Sequence, residues 1–215
     1  MSISKNDNTY KAKAKTEWRE WIYSNLSPTS QSCLTTKDGK LIHKWLEPVG
    51  TDAVTFSQLL STNMINESQL IGIDLDSDNI SNCKHLFPQA EFHAKRWDEF
   101  CAEYQDADIG VIIMDLFNAA YGKDFQSNLR DTLRLAKRCK DSIGELLLVV
   151  NIDRDKTYRG EAHLRDITPE SMLVGQLESY VEQVMGIKYT INIGSNYVYK
   201  QHSKSANMLS YAILL

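Results

Sequence analysis

No stretch of this sequence is apolar for long enough to cross a bilayer. Every hydrophobic run is short and broken by Asp, Asn or Lys, so no membrane partner is expected. Proline and glycine are scarce, at 4 and 10 of 215 residues. They form no cluster that reads as an interdomain linker, and there is no internal repeat or low-complexity block. The cysteines Cys33, Cys83, Cys101 and Cys139 make no CxxC pair and stand at no metal spacing with histidine. They read as reduced thiols, and no metal site is expected. Basic charge is not in excess: the formal net charge is −4. This disfavours duplex coating as the main activity, although a local basic groove stays open. Residues 1–15 are polar and lysine-containing with no apolar core, which reads as a flexible tail rather than a secretory signal. A cytoplasmic protein is the expectation.

What is present is a regular alternation. Trp18, Trp21, Ile22 and Leu26 recur at helical spacing, so Thr16 to Leu26 is read as an amphipathic helix with its Trp face packed. Strand, loop and helix then repeat. Strands are expected at Leu41–Leu46, Leu70–Ile73, Ala90–Ala94, Ile109–Met114 and Leu146–Val150. Helices are expected at Ala53–Leu60, Asp78–Phe87, Trp97–Tyr104, Phe125–Cys139 and from Pro169 to about Met185. The runs at 109–114 and 146–150 have no polar alternation, the mark of strands buried on both faces. Lys188–Gly194 and Asn207–Leu215 read as an antiparallel pair around a polar turn at His202–Ser205. The fold class that follows is α/β: a doubly wound, mostly parallel seven-stranded sheet with a C-terminal antiparallel pair and helices on both faces. The expected organisation is a tail (1–15), a helical extension (16–40) and one α/β domain (41–215).

Ligands of such sheets bind beyond the carboxyl ends of the strands. An acid or amide follows each expected strand: Glu47 with Gly50, Thr51 and Asp52; Asp74 with Asp76; Asp98; Asp115 with Asn118; and Asn151 with Asp153. A carboxylate suits such a place because its two acceptor oxygens match a vicinal diol. Asp76 is also suitably placed to cap the following helix.

Over residues 41–215 this pattern resembles the class I S-adenosylmethionine-dependent methyltransferases. Leu70-Ile71-Gly72-Ile73-Asp74-Leu75-Asp76 is similar to the family's second motif, and Asp108-Ile109-Gly110-Val111-Ile112-Ile113-Met114-Asp115 to its fourth. The resemblance implies S-adenosylmethionine as cofactor. In it Asp74 or Asp76 holds the ribose, Asp98 accepts from the adenine amino group and Trp97 flanks the ring. Glu47, Gly50 and Thr51 lie on the cofactor side of the first loop, and Asp115 lies near the reacting methyl. The first motif departs from the family pattern: Glu47-Pro48-Val49-Gly50-Thr51-Asp52-Ala53 has one glycine where the family carries three alternating ones. A catalytically inactive, methyltransferase-like binding protein is therefore the alternative. A nicotinamide enzyme ranks lower, for want of a G-x-G-x-x-G turn.

Asp115 and Asn118 are the catalytic candidates. Asn118-Ala119-Ala120-Tyr121 is faintly similar to the Asn-Pro-Pro-Tyr motif of amino-group methyltransferases, without its prolines. Asp115 with Asn151 or Asp153 would instead suit a Mg²⁺-assisted transfer to a hydroxyl. Arg154, Lys156, Arg159 and Arg165 read as a solvated loop or a grip on an anionic substrate. His163 and His202 are candidate general bases. The acceptor, small molecule or nucleic acid, is left open.

Overall fold

The computed structural model describes residues 13, 16–22, 24–26, 33–50, 54–115, 123–153, 169–191, 196–200 and 207–215. A helix, α1, covers 16–22 and 24–25. The elements that follow are β1 (Lys44–Pro48), α2 (Val54–Ser61), β2 (Leu70–Asp74), α3 (Ser77–Leu86), β3 (Glu91–Ala94), α4 (Trp97–Glu103) and β4 (Ile109–Met114). After them come α5 (Lys123–Ile143), β5 (Leu147–Asp153), α6 (Pro169–Met185), β6 (Asn196–Lys200) and β7 (Asn207–Leu214). The seven strands form one sheet in the order β3-β2-β1-β4-β5-β7-β6. Strands β1 to β5 pair in parallel, and β7 runs antiparallel to both β5 and β6.

Alternate residues of the central strands feed two cores. Leu46, Ile71, Ile73, Ile112, Met114, Leu148 and Val150 pack with side chains of α4, α5 and α6. Trp45, Leu70, Val111, Ile113, Leu147 and Val149 pack with those of α1, α2 and α3. The helices thus lie on both faces, and every residue of β4 is buried, as expected of a central parallel strand. Helix ends follow backbone chemistry. Asp76 caps α3 by accepting from the backbone N–H of Asp78 and Asn79. Beyond α5, Gly144 takes a left-handed φ of 93° while its N–H donates to Lys140 O.

Three sequence expectations need correction. Strand β1 lies at Lys44–Pro48, not Leu41–Leu46. Leu41 instead forms an isolated antiparallel bridge with Thr35, and the run is drawn forward by pairing Trp45 with Leu70 and Val111. The strand before β7 is Asn196–Lys200 rather than Lys188–Gly194: residues 188–191 have no regular structure, and Tyr197 and Val198 pair with Ser210 and Leu209. The cross-strand register with β7 decides here, and local composition does not show it. Third, β5 runs on through Asn151 to Asp153, so Asn151 is a strand residue.

Asn151 belongs to a buried polar chain. Trp18 Nε1 donates to Ser210 Oγ at 2.9 Å, and Ser210 Oγ donates to Asn151 Oδ1. Around it Trp18, Ile22 and Leu26 are fully packed, and Trp21 stacks on Tyr197 with centroids 5.5 Å apart. Helix α1 is thus fixed to the antiparallel side of the sheet by apolar area and one buried donor. Trp18→Ala should cost about 3–5 kcal/mol of stability. Trp18→Phe keeps most of the ring burial and loses the donor, for about 1–2 kcal/mol. Urea unfolding midpoints of the two variants check the ranking.

Candidate functional site

Strands β1 and β4 are neighbours, but the chain leaves them in opposite directions. From β1 it passes to α2 on one face, and from β4 to α5 on the other. Such a divergence opens a crevice outside the carboxyl ends of the two strands. There lies a cavity of about 530 Å³, lined on its β1–β2 side by Pro48, Val49, Ile73, Asp74 and Leu75. Lys95, Arg96, Trp97 and Asp98 line it after β3, and Asp115, Asp124 and Asn128 line it after β4. The volume falls within the range of small-molecule sites.

Asp74 is the last residue of β2. Its Oδ1 accepts from Asp76 N at 2.9 Å and its Oδ2 from Asn79 Nδ2 at 3.1 Å. Each oxygen keeps a further lone pair, so the carboxylate is held in place and still able to accept. The strand behind it is packed without slack. A Cβ on Gly72 would sit 2.6 Å from Phe92 Cδ1 and 2.8 Å from Val49 Cγ1, so the glycine lets β2 lie against the residue that opens the first loop. Leu75, 71% exposed, offers the cavity an apolar wall. Asp115, first after β4, is buried.

After β3, Arg96 and Asp98 form a two-pronged pair: Nε to Oδ1 at 2.9 Å and Nη2 to Oδ2 at 3.2 Å. The hydrogen bond from Arg96 holds the Asp98 carboxyl below the ordinary carboxylate range. Asp98 in turn raises the Arg96 guanidinium, with a smaller contribution from Asp124. Lys95 pairs outward with Glu103.

Of the residues singled out in the sequence, Asp74, Trp97, Asp98 and Asp115 meet around this one cavity. Trp97 does so differently from the expectation. Its ring is only 6% exposed and its Nε1 donates to Thr132 Oγ1 at 2.8 Å. It is a core residue that borders the cavity rather than a platform standing in it. Glu47 is 3% exposed, accepts from Trp45 Nε1 at 2.8 Å and is not among the lining residues. Asp76 caps α3 through Oδ1 and is not a lining residue either. Gly50, next to the lining residue Val49, is exposed, and among the described residues beyond its chain neighbours nothing lies within 4 Å of where a Cβ would stand. Thr51, Asp52, Asn118, the segment 154–165, His163 and His202 lie outside the described residues. Asn151, weighed as a metal ligand, accepts from Ser210 within the sheet.

The sequence reading missed Leu75, Lys95, Arg96, Asp124 and Asn128. Two signals were present. Arg96 and Asp98 flank the start of a helix two residues apart, and Asp124 and Asn128 share a face of α5 at i,i+4.

No family model matches this sequence, and no curated protein sequence matches it. Solved structures do. The plantazolicin methyltransferase BpumL, in complex with a pentazolic desmethylPZN analog and SAH, superposes with a TM-score of 0.50 at 11% identity. That match covers 95% of this chain and 84% of BpumL. The N-methyltransferase NodS from Bradyrhizobium japonicum WM9 gives 0.49 at 13% identity, over 92% of this chain and 95% of NodS. The bifunctional kinase-methyltransferase WbdD gives 0.44 at 19% identity over 77% of this chain, which spans only 33% of WbdD. The fold is that of the class I methyltransferases. Among the described residues no helix is long and apolar enough to cross a membrane.

The Arg96–Asp98 pair gives a pH prediction. The folded-state pKa of Asp98 is depressed, so any stabilisation from the pair is present above the unfolded carboxyl pKa of about 3.9. It is lost as pH falls through the folded value. In an NMR titration the Asp98 carboxyl should titrate below the ordinary range, and Arg96→Ala should move it upward.

Proposed function

On this fold, we propose that the protein is a cytoplasmic S-adenosylmethionine-dependent methyltransferase whose acceptor, a small molecule or a nucleic acid, is still to be identified. The observation that carries the reading is the convergence on one cavity of Asp74 from the end of β2, Asp98 from the first turn of α4 and Asp115 from just after β4. Three carboxylates around one cavity supply acceptors for a diol, an amino group and a cationic centre. The neighbours crystallised with SAH share the fold and make an adenosyl ligand the first to test.

The residues present fit such a ligand. Asp74, oriented by Asp76 N and Asn79, would take the ribose hydroxyls. Leu75 would cover one side of the base, and Asp98 would accept from its amino group. The lone glycine of the first loop motivates the alternative, a binding protein without catalysis. Gly50 nonetheless opens onto free space, so backbone approach at that point is not obstructed by described atoms. When bound, the cofactor supplies a methyl group already activated by the sulfonium. The chain's own work is then to position the acceptor and to keep water from the crevice, with Asp115 and Asn118 as the candidate catalytic residues. The unit 41–215 carries this function, and the extension 16–40 buttresses it through Trp18.

Titration calorimetry with S-adenosylhomocysteine is the direct test. The wild-type protein should bind it, and Asp74→Ala should weaken binding by roughly a hundredfold or more, the loss of two charge-assisted hydrogen bonds. Unchanged affinity in Asp74→Ala would remove the assignment. Binding without methyl transfer to any acceptor would favour the non-catalytic alternative.

A further inference from the structure

Arg96 stands at the cavity with its guanidinium laid along both oxygens of Asp98. The pair is exposed, at 61% and 34% of the two side chains, and an exposed ion pair contributes little to stability. Its geometry nonetheless has consequences at the cavity wall. Two parallel N–H···O bonds fix the plane of a carboxylate in a way that one bond or a lysine does not. The remaining lone pair of each Asp98 oxygen then points in a set direction. Glu99 and, more weakly, Asp124 from the first turn of α5 add further negative charge within electrostatic reach of the same guanidinium.

We infer that Arg96 is the positioning residue through which Asp98 reads the exocyclic amino group of a bound purine, so that it sets base selectivity rather than overall affinity. This rests on the proposal that the cavity takes an adenosyl ligand. An amino group donates to the oriented carboxylate. A carbonyl in its place sets one acceptor against another and is rejected, because a buried or rim acceptor left facing an acceptor loses its hydrogen bond and is repelled. Without Arg96 the Asp98 side chain samples other rotamers, and its carboxyl protonates at higher pH.

The experiment compares two probes on the full chain by calorimetry: S-adenosylhomocysteine and its deaminated counterpart, S-inosylhomocysteine. The wild type should prefer the amino form by roughly 10- to 100-fold. Arg96→Ala should reduce that preference to a few-fold while leaving binding of the inosyl probe nearly unchanged. Arg96→Lys should restore only part of it, because a single ammonium cannot grip both oxygens. Asp98→Asn should abolish the preference both alone and when combined with Arg96→Ala. The preference should fade on acidification, and at higher pH in Arg96→Ala than in the wild type. Equal loss of both probes in Arg96→Ala, or a wild-type preference that survives the substitution intact, overturns the inference and leaves the adenosyl site standing. Failure of the wild type to bind either probe removes the adenosyl reading itself. Circular dichroism of Arg96→Ala and Asp98→Asn confirms that a selective change is not a loss of fold.

Discussion

Two parallel strands that lie side by side and send their connections to opposite faces open a crevice outside their carboxyl ends. That constraint acts between β1 and β4, and the candidate site depends on it. Helix α2 must leave toward the face that buries Trp45 and Val111, and α5 toward the face that buries Leu46 and Ile112. The gap is a consequence of packing rather than a feature added to it. The residues that first emerge from the sheet on either side, Val49 and Asp115, become its walls.

Much of this was legible because burial leaves a plain mark on parallel strands. Ile109–Met114 and Leu146–Val150 read as double-faced core from their lack of polar residues, and both are buried throughout. The strand-end acids Asp74 and Asp115 were legible for the complementary reason: a charged residue that abruptly closes an apolar run marks where the strand leaves the core. Strand β6 was not legible. An edge strand takes its place from its partner, and the alternation of Tyr197 and Tyr199 matters only once Ser210 and Met208 lie opposite. Asn151 was misread because an amide after an apolar run looks like a strand end. The hydroxyl of Ser210, brought in from an antiparallel neighbour, helps make a buried amide acceptable there.

The cavity residues that went unread have a common character. Arg96, Asp124 and Asn128 lie in or beside helical segments whose polar residues look like any solvated face. Their membership of the site depends on where α4 and α5 begin relative to the sheet, which is tertiary information. Glu47 and Asp76 show the reverse case. Both stand where a resemblance to known enzymes places a ligand group, yet one is held by a tryptophan in the core and the other by a helix end. Position relative to a strand predicts proximity to a site, while the local hydrogen bonds that hold each side chain are set by tertiary packing and helix ends.

The bond from Trp18 to Ser210 joins residues 192 positions apart. During synthesis the helix bearing Trp18 can settle early against Trp45, Phe56 and Leu59, which cluster with it. Its bond to Ser210 comes only once β7, the last strand made, has paired with β5. The indole thus links the earliest and latest parts of the fold, a closure of high sequence separation that comes late in assembly.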